Sequence, residues 1–144
     1  MSVNVGGSGS ISPREARRRL GIPFSEVRGV FSLPITQANT FVVGQLVTAG
    51  ATWATATMTS RTNQADGLVV RAKPARFWVA TLHGLPIEIL AHGLGSAGST
   101  LWLGSSGAMT TTKPTGSTMK IQQRTGRILS SNWILLMIEH PEIF

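Results

Sequence analysis

The densest group of side chains that could bind a metal ion or transfer a proton is His83, Glu88 and His92. On a strand Glu88 and His92 would share one face because their spacing is even, but His83 has the opposite parity. The spacing matches no zinc signature, and the sequence places no third ligand beside the pair. We therefore expect these histidines to have structural or surface roles.

The remaining candidates for catalysis are weaker. Asp66 precedes Gly67 in a pair typical of turns, and His140 follows the last apolar run. The sequence has no Cys, no Gly-x-Ser-x-Gly elbow between a strand and a helix, and no Lys-Ser/Thr after the glycines of residues 6–10. We expect no catalytic, cofactor-binding or metal-binding residues and no cofactor, so the sequence does not indicate an enzyme.

The composition points to a folded protein with few charges. Charged residues make up 13% of the 144 residues, about half the usual share, yet the formal net charge is +7. A hydrophobic content of 42% excludes wholesale disorder. The scarcity of charge indicates that much of the surface contacts other protein rather than water.

No segment has the pattern of a membrane span or an export signal. The longest run of large apolar residues is 133–138, whereas a helix needs roughly 20 residues to cross the bilayer core. Residues 1–10 lack both the positive and the apolar part of a signal peptide. We therefore expect no membrane insertion, and synthesis and assembly in the cytoplasm.

A Gly/Ser-rich arm over residues 1–10 precedes the one convincing helix signal, over residues 13–20. Ser12 is a favourable N-cap and Glu15 follows three residues later, which together make a capping box; Gly21 ends the helix. Because a helix this short is marginal alone in water, it must dock on a partner. We predict an N-terminal arm and anchoring helix over residues 1–26 and a β-domain over residues 27–144.

The helix presents an apolar side next to a dense basic side, and both are expected to bind a partner protein. The anchor residues are Ile11, Arg14, Ala16, Arg17, Arg18, Arg19 and Leu20. An ordinary solvated helix and a nucleic-acid contact are the alternatives. The other Lys and Arg residues are scattered without an interleaved aromatic stripe, so nucleic acid is the least favoured partner.

From residue 27 onward, short apolar runs alternate with turn residues every 8–12 positions, which is typical of an all-β sandwich or barrel. We predict about 8–11 short strands, tight turns at 105–107 and 131–132, and a type I turn at 113–116. The predicted strands cover residues 27–32, 40–48, 52–59, 67–72, 76–83, 86–91, 100–104, 108–112, 118–123, 126–130 and 132–139.

Two of these strands are apolar at successive positions, over residues 77–80 and 133–138. Both faces of each should therefore be covered. A neighbouring subunit would cover the second face most simply, which predicts an oligomer. A central strand in a two-layer sandwich is the alternative. The residues assigned to the core or to a subunit interface are Phe77, Trp78, Trp102, Trp133, Leu135 and Met137.

A series of motifs between Pro34 and Ile138 resembles a small β-domain of tailed-bacteriophage virion proteins, of the tail-fibre, head-fibre or capsid-decoration type. The motifs are, in order, Thr-Gln-Ala-Asn at 36–39, Phe-Val-Val-Gly-Gln-Leu-Val at 41–47, Ala-Thr-Trp at 51–53, Ala-Asp-Gly-Leu-Val at 65–69, Phe-Trp-Val-Ala at 77–80, His-Gly-Leu at 92–94, Thr-Leu-Trp-Leu-Gly at 100–104, Gly-Ala-Met-Thr-Thr-Thr at 107–112, Pro-Thr-Gly at 114–116, Gln123, and Gly-Arg-Ile-Leu-Ser at 126–130.

This resemblance implies a non-enzymatic structural component of a virion, commonly a homotrimer, whose partners are capsid or tail proteins. The chain is shorter than a typical fibre protein, and this short length favours a head-decorating protein or a tail-attached adaptor. The alternative is a receptor- or glycan-binding module at a fibre tip, which would take part in host attachment. A nucleic-acid-binding protein that uses the arginine helix is a third hypothesis.

Overall fold

A computed structural model describes residues 32–81 and 83–144. The predicted helix and the predicted boundary at residue 26 lie outside these residues. The all-β class is confirmed, since the described residues contain strands and no helix. The twelve strands are β1 (Ser32–Thr36), β2 (Leu46–Thr48), β3 (Ala54–Thr55), β4 (Gly67–Lys73), β5 (Arg76–Ala80), β6 (Leu85–Glu88), β7 (Thr100–Leu103), β8 (Met109–Thr110), β9 (Ile121–Gln122), β10 (Arg124–Ser130), β11 (Trp133–Leu136) and β12 (Glu142–Ile143).

The strands form two five-stranded sheets with the same order of connections. The first sheet runs β1-β5-β4-β2-β3 and the second runs β6-β11-β10-β7-β8, while β9 and β12 pair separately. In each sheet the strand that comes first in the chain, β1 or β6, lies beside the second strand of a long hairpin, β4–β5 or β10–β11. A shorter pair of strands, β2–β3 or β7–β8, lies on the other side of that hairpin. Both first strands contain Leu-Pro-Ile, at 33–35 and at 85–87. The described part of the chain therefore repeats one strand arrangement twice.

The two long hairpins, β4–β5 and β10–β11, share the same local design. Each has a two-residue connection, Pro74-Ala75 or Ser131-Asn132, and each has a register shift that marks a bulge. None of these four turn residues has a positive φ, so neither connection is the primed turn that best matches strand twist. Neighbouring loops instead hold both turns. Asn39 donates its backbone N–H to the Pro74 carbonyl at 2.9 Å, and Asn132 Oδ1 accepts from the Ala91 N–H at 2.8 Å.

The predicted turn at 105–107 is confirmed as the connection of β7 and β8. Ser106 and Gly107 both have positive φ, at 54° and 77°, and the Ala108 N–H donates to the Ser105 carbonyl at 3.1 Å. These are the features of a type I′ turn, whose twist matches that of the flanking strands.

One buried cluster joins the two five-stranded sheets. Leu46, Leu68 and Ala80 come from the first sheet, and they pack with the inward side chains of the second. Those of the second sheet are Ile87, Leu101, Leu103, Met109, Ile128, Ile134 and Leu136. Since the non-polar faces of two separate sheets meet in this cluster, the described residues form a sandwich of two sheets.

A second buried cluster covers the opposite face of the first sheet. Val47, Val69, Phe77 and Val79 form its centre, and Ile35, Phe41, Trp53 and Ala72 pack against it. The Phe41 and Trp53 rings approach Phe77 edge-on, with centroids 4.9 Å and 6.4 Å away. At the end of β5 the first sheet is thus buried on both faces, by Val79 on one and Ala80 on the other, whereas Trp78 is half-buried.

Several predicted strands and one predicted turn differ from the structure. The turn predicted at 113–116 lies instead at 116–119, where the Met119 N–H donates to the Gly116 carbonyl at 3.4 Å. The strand predicted over 40–48 begins only at Leu46, because Gly44 takes a positive φ of 93° and the chain turns there. Ser32–Thr36 is a strand despite Pro34, and Glu142–Ile143 pairs with Ile121–Gln122; neither was predicted from the sequence. Both of these depend on pairing with distant segments, which local patterning does not reveal.

Candidate functional site

All seven predicted anchor residues lie outside the residues that the structure describes. They are Ile11, Arg14, Ala16, Arg17, Arg18, Arg19 and Leu20. The six residues predicted for the core or an interface are all described. Phe77 is fully buried, and the other five, which are Trp78, Trp102, Trp133, Leu135 and Met137, are half-buried.

Within the single chain, strand β11 has one buried face and one half-buried face; the second is the face that a neighbouring subunit is expected to cover. Ile134 and Leu136 point into the core, whereas Trp133, Leu135 and Met137 remain half-buried on the outer side. These last three residues form a line along the strand, which we call the β11 stripe. The outer face of the first sheet is covered by Phe41 and Trp53 from its own connections, but the outer face of the second sheet carries this apolar line without a comparable buried cluster among the described residues.

The charges beside the β11 stripe differ from one side to the other. On the β6 side Glu88 pairs with Trp133 and Pro86 pairs with Leu135. On the β10 side Arg127 pairs with Leu135. The stripe is therefore an apolar line with a carboxylate on one flank and a guanidinium on the other, and both charged residues are exposed.

Trp102 lies on the outer face of the same sheet, between two cations. Lys113 Nζ is 5.5 Å and Arg124 Cζ is 5.9 Å from the centre of its ring. Arg124 also forms an ion pair with Glu139, with Nε 3.4 Å from Oε1. The positive charge at Trp102 is therefore partly neutralised by the protein itself.

Trp78 lies close to two cations of the first sheet. Arg71 Cζ is 4.5 Å and Arg76 Cζ is 5.2 Å from the centre of its ring. Both distances are within the range of a cation–π interaction. Lys73 lies opposite Arg76 next to the turn, so a third exposed cation lies one cross-strand pair away from Trp78.

The three cations at Trp78 were not predicted as a group, although a local signal was present in the sequence. Residues 71–78 read Arg-Ala-Lys-Pro-Ala-Arg-Phe-Trp. Basic residues alternate on both sides of a two-residue turn, which places them on one face of a hairpin. The spacing of two residues between Arg71 and Lys73 is visible in the sequence. The position of the turn was also needed to show that these residues lie opposite Arg76 and Trp78.

His83, Glu88 and His92 do not come together. Across the described residues, no group of three or more His, Asp or Glu side chains is placed to hold a metal ion. His92 instead joins its own loop to the end of β10: its Nε2 is 2.6 Å from the Ser130 carbonyl, and its Nδ1 accepts from the Leu94 N–H at 3.1 Å. His83 and His140 are exposed.

Asp66 acts as a local acceptor. Its Oδ2 accepts from the Ala49 N–H at 2.8 Å and from the Thr48 hydroxyl at 3.2 Å, while Oδ1 accepts from Gln64 at 3.0 Å. These bonds tie the end of β2 to the start of β4. A carboxylate with three donors is well suited to holding a loop in place.

Residues 32–81 and 83–144 contain no helix of the length and apolarity that a membrane span requires. Comparison of the chain with protein-family models, with curated proteins and with solved structures found no match. Two surfaces of the sandwich thus stand out by their chemistry: the β11 stripe, and the basic surface around Trp78.

Proposed function

We propose that this protein is a non-enzymatic structural component of a tailed-phage virion, built as a homotrimeric β module. The observation that carries the proposal is the β11 stripe, on the outer face of the second sheet. Trp133, Leu135 and Met137 keep partly exposed apolar surface in a line, whereas the corresponding face of the first sheet is covered. Contiguous apolar surface of this kind is typical of protein–protein contacts.

The charges beside the stripe favour contact between copies of the chain. Glu88 and Arg127 lie on opposite sides of it. In a head-to-tail ring, the Glu88 side of one subunit meets the Arg127 side of the next, and the apolar line is buried between them. A trimer is the ring size that the sequence resemblance implies.

The virion assignment rests on the resemblance of residues 34–138 to phage structural proteins. In this proposal residues 1–26 anchor the trimer to capsid or tail proteins, and the arginines of residues 14–19 bind acidic groups on that partner. The location is a head decoration, a head fibre or a tail adaptor. The all-β fold and the sparse surface charge agree with such a role.

Sedimentation of the full chain at micromolar concentration tests the oligomer. We expect the mass of three chains for the wild type and of one chain for Leu135→Glu, because a buried carboxylate would oppose association. Val42→Glu is the matched control, since Val42 is 63% exposed in the segment before β2, in the first sheet. A monomeric wild type, or an unchanged mass for Leu135→Glu with its circular dichroism intact, would contradict the trimer.

Imaging of particles that carry the labelled protein tests the virion assignment. We expect bound protein at a defined site on the head or tail. Replacing Arg14, Arg17, Arg18 and Arg19 by Ala should abolish this binding and leave the sedimentation of the chain unchanged. Binding that is unaffected by the four substitutions would contradict the anchor, and protein that never associates with particles would contradict the virion role.

A further inference from the structure

The end of the β4–β5 hairpin carries a compact basic surface on one face. Arg71 lies directly opposite Trp78, and Lys73 lies directly opposite Arg76. Partners in an antiparallel pair share a face, as do residues two apart along a strand. All four side chains therefore lie on the same face; we call Arg71, Lys73, Arg76 and Trp78 the hairpin cluster.

Within residues 32–81 and 83–144, no acidic side chain occupies the hydrogen-bonding groups of the arginines in the hairpin cluster. Their Cζ atoms lie 4.5 Å and 5.2 Å from the centre of the Trp78 ring. Stacking on an indole restrains a guanidinium but uses none of its N–H donors. Among the described residues, neither Arg71 nor Arg76 pairs with a carboxylate; Arg124, beside Trp102, does so with Glu139.

The cross-strand pair of Lys73 and Arg76 is unfavourable by itself. Like charges directly opposite each other destabilise a sheet, and neither β4 nor β5 contains an acidic residue. A cluster of like charges that its own two strands do not compensate is locally unfavourable, and such local conflicts are typical of functional sites. Such a cluster is stabilised when an anion binds to it.

The backbone beneath the cluster is held in place without a ligand. Asn39 Nδ2 donates to the Lys73 carbonyl at 2.9 Å, and the Gln37 N–H donates to the Ala75 carbonyl at 3.1 Å. The Gln37 side chain in turn exchanges two hydrogen bonds with the backbone of Trp53, at 2.8 Å and 2.9 Å. Because the turn is already ordered, little conformational entropy is lost when a ligand binds.

We propose that the hairpin cluster binds an acidic polysaccharide, through carboxylate or sulfate groups on its sugar rings. The planar guanidinium groups of Arg71 and Arg76 match the geometry of such oxyanions. Trp78 is half-buried, so its indole also offers an apolar edge against which the C–H groups of a sugar ring can pack. This inference concerns the first sheet and does not depend on the oligomer proposed through the β11 stripe.

The size of the cluster favours an acidic sugar over a nucleic acid. The cluster consists of two neighbouring cross-strand pairs, which span about 7 Å along the strand. A duplex presents a long, regular row of phosphates and is usually bound by an extended basic track. The other cations of the described residues do not extend the cluster along β4 or β5, and Arg124 is already paired.

Isothermal titration of the full chain with defined polymers tests the proposal. Polygalacturonate carries carboxylates and heparin carries sulfates, so these two probes separate the sources of the oxyanion. Dextran is the neutral sugar control, and polyglutamate and single-stranded DNA are the non-sugar polyanions. We expect binding to at least one acidic polysaccharide at low salt, weakening as salt is added, and no binding to dextran.

Paired variants locate the site. The double substitution Arg71→Gln with Arg76→Gln should weaken binding by about tenfold or more, since hydrogen bonds between charged groups are lost. Lys113→Gln with Arg124→Gln removes the same charge beside Trp102 and should change binding less than about threefold. Both variants must keep the circular dichroism spectrum of the wild type.

Three results would overturn the proposal. Equal losses in the two double variants would show that only the net charge matters. Stronger binding to DNA or polyglutamate than to either polysaccharide would assign the cluster to another class of partner. Failure to bind either polysaccharide at low salt would exclude the acidic-sugar site, whatever the sedimentation of the chain shows.

Discussion

The side-chain amide of Gln123 bonds to both the N–H and the carbonyl of Ala65, as the backbone of a neighbouring strand would. Its Oε1 accepts from the Ala65 N–H at 2.8 Å, and its Nε2 donates to the Ala65 carbonyl at 2.9 Å. Nε2 also donates to the Glu139 carbonyl at 2.9 Å, and the side chain is 1% exposed. One buried amide thus connects segments of the chain that are 58 residues apart.

Replacing Gln123 by Leu should strongly destabilise the fold. The substitution leaves the buried backbone groups of Ala65 without partners, and we expect a loss of about 3 kcal/mol in the free energy of unfolding, the sum of two or more unsatisfied groups. Urea denaturation measures it. Gln122→Leu is the control, since Gln122 is half-buried and its Nε2 donates only to the Pro114 carbonyl at 3.1 Å and to the Met119 sulfur at 3.9 Å. Equal losses at both positions would refute the role of Gln123.

Phe77 should be the most costly aromatic residue to truncate in the second cluster. It is fully buried and contacts Phe41 and Trp53 edge-on. We expect Phe77→Ala to lower the free energy of unfolding by about 3–5 kcal/mol. Phe144→Ala, at a 51% exposed position, should change it by less than about 0.5 kcal/mol. Thermal unfolding of the two variants side by side gives the comparison, and similar melting temperatures would contradict it.

Gly107 is needed for two separate reasons. Its φ is 77°, and a Cβ there would lie 2.7 Å from Gln45 Cγ and 3.0 Å from the Leu46 carbonyl oxygen. Gly116 has a φ of 101° with open space around it. We expect Gly116→Ala to cost about 1–2 kcal/mol from the backbone alone and Gly107→Ala about 1–3 kcal/mol more from crowding. Chemical denaturation should show this difference; equal costs would exclude the steric contribution.

Thr125 offers a stabilising substitution. Its hydroxyl is buried and has no hydrogen-bond partner within the described part of the chain. Thr125→Val keeps the shape and removes the unsatisfied group, so the free energy of unfolding should rise by about 1 kcal/mol.

Thr48→Val is the matched substitution with the opposite expected sign. Thr48 is also buried, but its hydroxyl donates to Asp66 at 3.2 Å. Its replacement should lower the free energy of unfolding by about 1 kcal/mol. Calorimetry of both variants measures the signs, and a destabilised Thr125→Val would contradict the assignment of an unsatisfied hydroxyl.

His92 should carry the proton of its neutral ring on Nε2. The Leu94 N–H can only donate, so Nδ1 accepts, and the Ser130 carbonyl can only accept, so Nε2 donates. The nitrogen chemical shifts of the ring in an NMR spectrum of the neutral form report the tautomer directly. The exposed His83 and His140 serve as references within the same spectrum, and a proton on Nδ1 would contradict these two hydrogen bonds.

Local patterns predicted the parts of the fold that depend on neighbouring residues. The alternation of apolar residues predicted the all-β class, and the residues at 105–107 and 131–132 predicted two hairpin connections that the structure contains. The predicted bounds of a strand were wrong where a turn interrupts a run of apolar residues, as Gly44 does within the predicted strand 40–48.

The repeat of one strand order in both sheets was only weakly visible. Leu-Pro-Ile at 33–35 and 85–87 marks both first strands, but the remaining segments differ in length and residue type. The first strand of each sheet pairs with a strand that follows tens of residues later. A match of three residues could not establish that pairing, because the pairing energy depends on the packing of the whole sheet.

The outer faces of the two sheets also depend on distant segments, so their exposure could not be predicted from local sequence. The apolar runs at 77–80 and 133–138 look alike in the sequence, yet Phe77 is enclosed by Phe41 and Trp53 while Trp133 and Leu135 stay half-buried. What covers a strand is contributed by other segments, so its own residues do not determine how exposed it is.

The amino-acid sequence was sufficient for the class of secondary structure, for two of the tight turns and for the scarcity of charge, because these follow from residue types and short-range spacing. The tertiary structure was required to place Arg71 opposite Trp78, to bring Gln123 to Ala65 and to leave the β11 stripe uncovered. Each of these depends on the register of paired strands or on contacts between distant segments. A shift of one residue in register would turn every side chain of a strand to its other face.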